Sequence, residues 1–498
     1  MTNPPKDSVY SSIVSLRSVR IVCLLAELND LELWGTDIGN AYLESYTSEK
    51  VAFIAGPEFG PELEGHTCII KKALYGLKSS GKCWHDRLHD VLRDMGFFPS
   101  KAEEDIWMRD QGDHYEYIAV YVDDLMIASK DPKGIIDALT SKPNNFKLKG
   151  TGPVTFHLGC DFFRDSQGTL CFGPRKYIER MYDQYKKLFG KAPPQKCSSP
   201  LEKNDHPELD DSPLLGQEDI AKYQSLIGAL QWAISLGRFD VATAVMTMSS
   251  FRVAPRQGHM ERLQRICGYL YKFRAGAIRV RTGMPDYSDL AYKEYDWERS
   301  VYGKVREQIP EDAPTPKGKP VVTSTYKDAN LYHDLATGRA VSGVLHFVNQ
   351  TPIEWFTKKQ ATVETSTYGS EFAAGRVAIQ QIAGLRTTLR YLGVKLEGPS
   401  YLFGDNASVA TSGSIPHSRL SKRHQALSYH YVREAVASNM VRFHHIGGDM
   451  NPADILSKHW AHGAVYPNLL RPLLFYEGDT MDLLVEEDEK EGRTQSSP

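Results

Sequence analysis

Apolar positions along the 498-residue chain follow two patterns, a recurrence every three to four residues in some stretches and short continuous runs in others. Between about residues 8 and 150, SLRSVRIVCLLAELND and GKCWHDRLHDVLRDMG predict helices, while KVAFIAG and YIAVYV predict strands. Residues 151–200 carry hairpin-like text, VTFHLGCDFFRDSQGTLCFG, followed by a basic helix, PRKYIERMYDQYKKLF. The Pro- and Ser-rich stretch KAPPQKCSSPLEKNDHPELDDSP predicts a first domain boundary. Residues 217–282 are predicted to be mostly helical, from the spacing in YQSLIGALQWAISL and HMERLQRICGYLYKF. A polar stretch over 283–321, ending in PEDAPTPKGKP, reads as an interdomain linker. From about 322 to 462 a second α/β pattern follows, with VSGVLHFV, SYLFGDN and MVRFHHI as its strands. The end of the chain, 463–498, closes on LLVEEDEKEGRTQSSP and is expected to be a disordered acidic tail. The fold class is therefore α+β, in roughly three domains by length.

Composition adds little to this picture. With 59 Lys+Arg against 62 Asp+Glu the net charge is -3, which neither announces nor excludes a nucleic-acid partner, so only local clusters can speak. Seven cysteines, at 23, 68, 83, 160, 171, 197 and 267, form no CxxC pair and suit free thiols in a reducing compartment. The N-terminus has no secretory signal pattern, and no apolar run is long enough for a bilayer span. An intracellular protein of the cytoplasm or nucleus, with no membrane partner, is expected.

Two groups of acids carry the candidate chemistry. In IAVYVDDLMIAS, Asp123 and Asp124 sit between apolar runs without the Gly or Asn of a tight hairpin turn. Neighbouring strand residues face opposite ways, so one of the pair should be the principal ligand. Asp37, at the end of the short apolar segment in LELWGTDIGNAYL, is the partner expected on a neighbouring strand. Carboxylates converging from separate strands can hold two divalent ions that activate an attacking hydroxyl and neutralise a leaving pyrophosphate. An arbitrary Asp-Asp pair is more often a solvated turn. The second group is Asp328 in STYKDAN, Glu371 in TSTYGSEFAAG, Asp405 in YLFGDNAS and Asp454 in NPADILSKH, placed to converge from two strand ends and two helices. Each taken singly reads as a cap or surface charge, Asp454 after Pro452 above all.

At these residues the chain resembles reverse transcriptases, and copia-type retrotransposon Pol proteins in particular. YVDD resembles the catalytic hairpin, TDIGNAYLES the motif around the first catalytic aspartate, KKALYGLKSSGKCWHDRL the LYGLKQ...W segment and FHLGCDF the FLGIE-type segment. YQSLIGALQWAISLGRFDVATAV resembles the YRSLVGSLLYL...RPDI block. YKDAN, EWFTKKQ, STYGSEFAA, GDNAS and ADILSKH resemble the ribonuclease H motifs YSDADWAG, SWSSKKQ, SSTEAEY, CDNQSA and ADILTK.

The resemblance implies a palm and thumb followed by a ribonuclease H-like α/β domain. Its expected extents are fingers remnant and palm 1–150, palm end and primer-positioning segment 151–200, helical thumb 201–282, linker 283–321, ribonuclease H-like domain 322–462 and tail 463–498. It implies RNA-directed DNA polymerase and RNA–DNA hybrid nuclease activity, with two Mg²⁺ per site, Mn²⁺ being an alternative. Asp37 and Asp123, with Asp124 adjacent, would be the polymerase acids; Asp328, Glu371, Asp405 and Asp454 those of the nuclease. Tyr42 would lie under the incoming sugar, where bare residue statistics give core packing, Ser79 near the nucleotide and Leu158 and Gly159 at the primer end. Partners implied are an RNA template, a DNA primer, their hybrid, dNTPs and other proteins of the element.

Two departures stand out. Ser79 replaces the usual Gln after LYGLK, and only 36 residues precede Asp37, fewer than the family's fingers need. The chain is then a fragment or its polymerase is impaired, and the alternative function is a nucleic-acid-binding remnant with nuclease activity only or none. Lys358, Lys359, HSRLSKRHQ and KFRAGAIRVR are candidate phosphate contacts as readily as solvated faces. His417, His424, His430, His444 and His445 have no cysteine partners at finger spacing, and His444 and His445 are expected to end a strand.

Overall fold

A computed structural model describes residues 11–420 and 423–475, and the chain separates into two compact units. The first runs to Leu158 and takes in Pro314–Lys319 and Tyr391–Gly393; the second holds the remainder. The α+β expectation holds in both.

The first unit is built on a six-stranded sheet in the order Phe98–Ser100, Glu103–Asp110, Tyr115–Tyr121, Asp124–Ser129, Glu32–Ile38, Leu148–Pro153. Every neighbouring pair is antiparallel. An antiparallel sheet commonly alternates apolar and polar residues because one face is wet. Here YEYIAVY and DLMIAS carry apolar residues on both faces, Glu116 and Ser129 being buried as well, because both faces are covered. On one side Trp107, Ile118, Val120, Leu125 and Ile127 pack with Trp84, Leu88 and Val91 of helix Ser80–Asp94 and Ile136 of helix Pro132–Thr140. On the other, Met126 meets Cys23 of the buried helix Leu16–Leu28 at 3.6 Å between sulfurs.

The second unit begins with antiparallel strands Cys160–Arg164, Leu170–Gly173 and Ile278–Arg279 and helices Arg175–Phe189, Gln217–Ser235, Ala242–Ser249 and Gln257–Lys272. In the segment that resembles the RPDI block, Arg238 forks onto Asp240 at 2.9 and 2.7 Å, and Tyr269 donates to the same carboxylate at 2.9 Å, all three side chains being buried. A five-stranded sheet follows, ordered Thr351–Lys359, Arg339–Val348, Thr323–Asp334, Ser400–Gly404, Val441–His445. Its first three strands are antiparallel and its last three parallel. Helices Thr367–Tyr391 and Ala426–Ala437 cover it through Phe372, Ile379, Val432 and Val436.

Two stretches differ from expectation. Residues 283–313 do more than link. Trp297 is buried with Tyr302 and Val305 against the second sheet's helical layer, and Glu307 pairs with Arg386 and Arg390, each at 2.7 Å. The tail is not disordered from 463 onward. PNLLRPLLF continues in helical turns whose Leu470, Leu474 and Phe475 are buried, because five apolar side chains precede the acidic run. The acidic run itself lies outside the described residues.

Candidate functional sites: two carboxylate clusters

The sheet of the first unit brings three acids to one end. Asp37 lies directly across from Asp124 in the antiparallel register, and the Ile38 N–H donates to the Asp123 carbonyl at 2.9 Å. Asp123 occupies a two-residue turn with Val122, closed by the pairing of Tyr121 with Asp124. Val122 has φ 59°, a left-handed conformation that a β-branched residue adopts only under strain. Its carbonyl accepts a hydrogen bond from Trp84 Nε1 at 2.8 Å, so the helix beneath clamps the turn.

Burial, and then the charges of Asp123 and Asp37, push Asp124 up to about 6; burial and Asp37 likewise raise Asp123. No lysine or arginine among the described residues is a cause that offsets these shifts at Asp123 or Asp124. Acceptor-only groups with uncompensated charge fit hard divalent cations. Their donor atoms nonetheless do not converge within 4.8 Å as those of the second cluster do, since successive residues point apart.

Tyr42 sits in the 3₁₀ turn Ala41–Glu44, half-buried against the core, and its ring lies 4.4 Å from that of Tyr75. Tyr75 is 69% exposed, and burial, then the charges of Asp123 and Asp37, raise its hydroxyl pKa. It therefore stands beside the carboxylates, a placement the sequence reading missed although the residue is the tyrosine of LYGLK. Ser79 is buried, and its N–H and hydroxyl both donate to Glu49 Oε1 at 2.7 Å. Its donors are thus committed within the protein rather than to a nucleotide. Leu158 and Gly159, with φ of 49° and 95°, make the two-residue turn between strands Phe156–His157 and Cys160–Arg164.

The second cluster is deeper and richer in cations. Asp328 and Asp405 follow the parallel pairing Tyr326↔Phe403 by two residues on each strand, Glu371 lies in the first turns of helix Thr367–Tyr391, and Asp454 lies in the 3₁₀ turn Pro452–Leu456. Oxygens of Asp328, Glu371 and Asp405 lie within 4.8 Å of one another, a donor set that suits one hard divalent ion directly. Burial and then Asp328 raise Asp405 and Asp454; Glu371 is also raised, burial outweighing the pull of Lys327. Ser457 donates to Asp328, and Lys458 Nζ bridges Asp454 at 2.7 Å and Asp328 at 3.3 Å.

Lys327, fully buried, pairs with Glu371, whose other oxygen accepts from the Ala329 N–H at 3.2 Å. A Cβ on Gly404 would fall 2.6 Å from Lys327 Cε, so this lysine fits only over a glycine. Sequence reasoning found the four acids and missed both lysines. The signal was present, since YKDAN and GDNAS carry Lys and Gly where the resembled motifs carry Ser and Cys. Of the candidate phosphate contacts, Lys359 is engaged with Asp334, and HSRLSKRHQ lies partly outside the described residues. His444 and His445 end strand Val441–His445 as expected. Among the described residues no helix is long and apolar enough to cross a membrane.

A family model described as reverse transcriptase (RNA-dependent DNA polymerase) matches residues 2–193. The chain is 25% identical over 452 residues to the retrovirus-related Pol polyprotein from transposon RE1 of Arabidopsis thaliana, covering 90% of this chain and 28% of that protein. It is 29% identical over 263 residues to a putative transposon Ty5-1 protein of Saccharomyces cerevisiae, covering 52% of this chain and 81% of that one. A solved foamy viral protease–reverse transcriptase in complex with RNA/DNA hybrid aligns over 92% of this chain and 69% of its own, at 11% identity and a TM-score of 0.28. The chain thus spans less than a third of the Pol polyprotein it matches, 28% in the RE1 case.

Proposed function

Because the chain belongs to the copia-type retrotransposon Pol proteins, we propose that it is an RNA-directed DNA polymerase joined to a ribonuclease H, with one carboxylate cluster serving each reaction. The observation that carries this reading is the presence of two separate acid clusters, a half-buried one at an antiparallel hairpin turn and a deeper one at the end of a parallel strand pair. In this reading the segment to about 150 includes the palm, 201–282 is the thumb and 322–462 the nuclease domain.

Divalent ions, Mg²⁺ or Mn²⁺, would supply activation of the primer hydroxyl or of water and neutralise the leaving oxygen. Asp37, Asp123 and Asp124 would hold them at the primer end, and Asp328, Glu371, Asp405 and Asp454 at the RNA strand. Tyr42, backed by Tyr75, would pack under the sugar of an incoming dNTP and disfavour a 2′-hydroxyl. Leu158 and Gly159 would turn the chain against the primer. The partners are then template RNA, primer DNA, their hybrid and dNTPs.

A second reading, a nucleic-acid-binding remnant with a silent nuclease, is favoured by one observation: Lys327 already neutralises Glu371. A gel assay separates them, with dNTPs and Mg²⁺, a labelled DNA primer and an RNA template carrying a second label. Asp123→Asn should abolish extension alone and Asp405→Asn cleavage alone. Cleavage without extension in the parent would leave the nuclease only; neither activity would support the remnant.

A further inference from the structure

Away from both clusters, the first unit holds a third ligand set. His85 and His89 are four residues apart on helix Ser80–Asp94, so their rings share one face, 3.6 Å between centroids. Both point at Asp105 of strand Glu103–Asp110, with His85 Nε2 3.1 Å and His89 Nε2 3.8 Å from Oδ1. The side chains of His89 and Asp105 are 9% and 1% exposed. His89 Nε2 and Asp105 Oδ2 are buried without a hydrogen-bond partner. Such groups in a native interior ask for a ligand. Ser12 Oγ lies 3.5 Å from His85 Nε2, and the 17% exposed edge of His85 leaves an approach for water. His85 Nδ1 faces Asp86 at 4.0 Å, the outer carboxylate that commonly orients a metal-bound imidazole.

We propose that His85, His89 and Asp105 bind one transition-metal ion of the Zn²⁺ class, with Ser12 or water completing a tetrahedron. Two imidazoles and one carboxylate suit Zn²⁺ and not Mg²⁺, which takes oxygen ligands and keeps its waters. The ion would be structural. It ties the helix to the sheet one residue from Trp84, whose indole holds the Val122 carbonyl ahead of Asp123. It therefore positions the polymerase turn without touching a substrate.

The test uses the full chain, chelator-treated and then titrated with Co²⁺ as a spectroscopic stand-in, with Zn²⁺ displacement followed calorimetrically. One equivalent with intense visible bands of four-coordinate Co²⁺ is expected, bleached by Zn²⁺. A Zn²⁺-dependent rise in Tm should accompany it. His85→Gln and His89→Gln should each weaken binding more than about 100-fold, beyond the loss seen on removing outer partners. Asp37→Asn/Asp405→Asn should keep the bands, which separates this ion from those of the carboxylate clusters. Since His89 is buried, the folded state of each variant is checked by circular dichroism, and the less buried His85 supplies the milder variant. Absence of the bands, or bands unchanged in both histidine variants, would overturn the site and leave a hydrogen-bonded His–Asp–His triad.

Discussion

The two carboxylate clusters solve one electrostatic problem in opposite ways. At the hairpin turn, burial first and then the charges of neighbouring carboxylates raise Asp123 and Asp124, with no lysine or arginine among the described residues offsetting them. At the parallel strand ends, two ammonium groups stand inside a deeper set of acids, Lys327 fully buried and Lys458 at the mouth. The difference teaches where charge compensation resides. The first cluster depends on what it binds, whereas the second is part of the folded core before anything arrives. Lys458 can swing out on its stem to admit an ion; Lys327, closed in over Gly404 with Phe443 5.5 Å from its ammonium, cannot.

The largest effect expected from this contrast follows removal of the buried ammonium. Lys327→Met leaves Glu371 buried and unpaired, which should lower unfolding free energy by about 3–5 kcal/mol in chelator. Millimolar Mg²⁺ should restore stability more strongly in the variant than in the parent, read from urea unfolding; equal responses would mean that Lys327 does not compete with an ion. Trp84→Phe, which strips one hydrogen bond from the strained turn, should cost about 1–1.5 kcal/mol. It should slow primer extension while RNA cleavage is unmoved, and a matched loss of both would refute a clamp local to the turn.

Tyr75→Ala removes the ring tilted against Tyr42, a contact worth about 1 kcal/mol, so KM for dNTP should rise about fivefold in steady-state extension. The smallest effect is in pH. Asp124 titrates near 6 in the fold and near the ordinary aspartate value when unfolded, so the folded state holds the extra proton between the two. Without metal, stability should therefore fall by about 1 kcal/mol as pH rises from about 4 to 6, the screened part of the shift at this partly exposed group. Asp124→Asn should flatten that slope in denaturant titrations.

Much of this was legible in the sequence where the signal was local. The acids sit in short motifs with apolar flanks, and YIAVYVDDLMIAS announces a fully buried hairpin because both faces of its sheet are covered. What escaped was set by residues distant in the chain. The fit of Lys327 depends on Gly404, on a separate strand, and strand alternation alone would turn its side chain away from its neighbour Asp328. His85 and His89 show their helical spacing in the text, but Asp105 joins them only through packing of the helix on strand Glu103–Asp110. The tail was misread at 463–475 because the acidic composition at its end outweighed the apolar run before it. The 283–313 stretch was read as a linker because its buried Trp297 and paired Glu307 are scattered among charges.

Val122 has a consequence for anyone who would evolve this protein. A left-handed φ at a β-branched residue is a conformational debt of about 1–3 kcal/mol. A library randomised at 122 and screened for heat resistance alone should enrich Gly and Asn, whereas one screened for DNA synthesis should retain side chains that keep the turn stiff. Divergence of the two outcomes under deep sequencing would identify this position as one where endurance and activity select different residues.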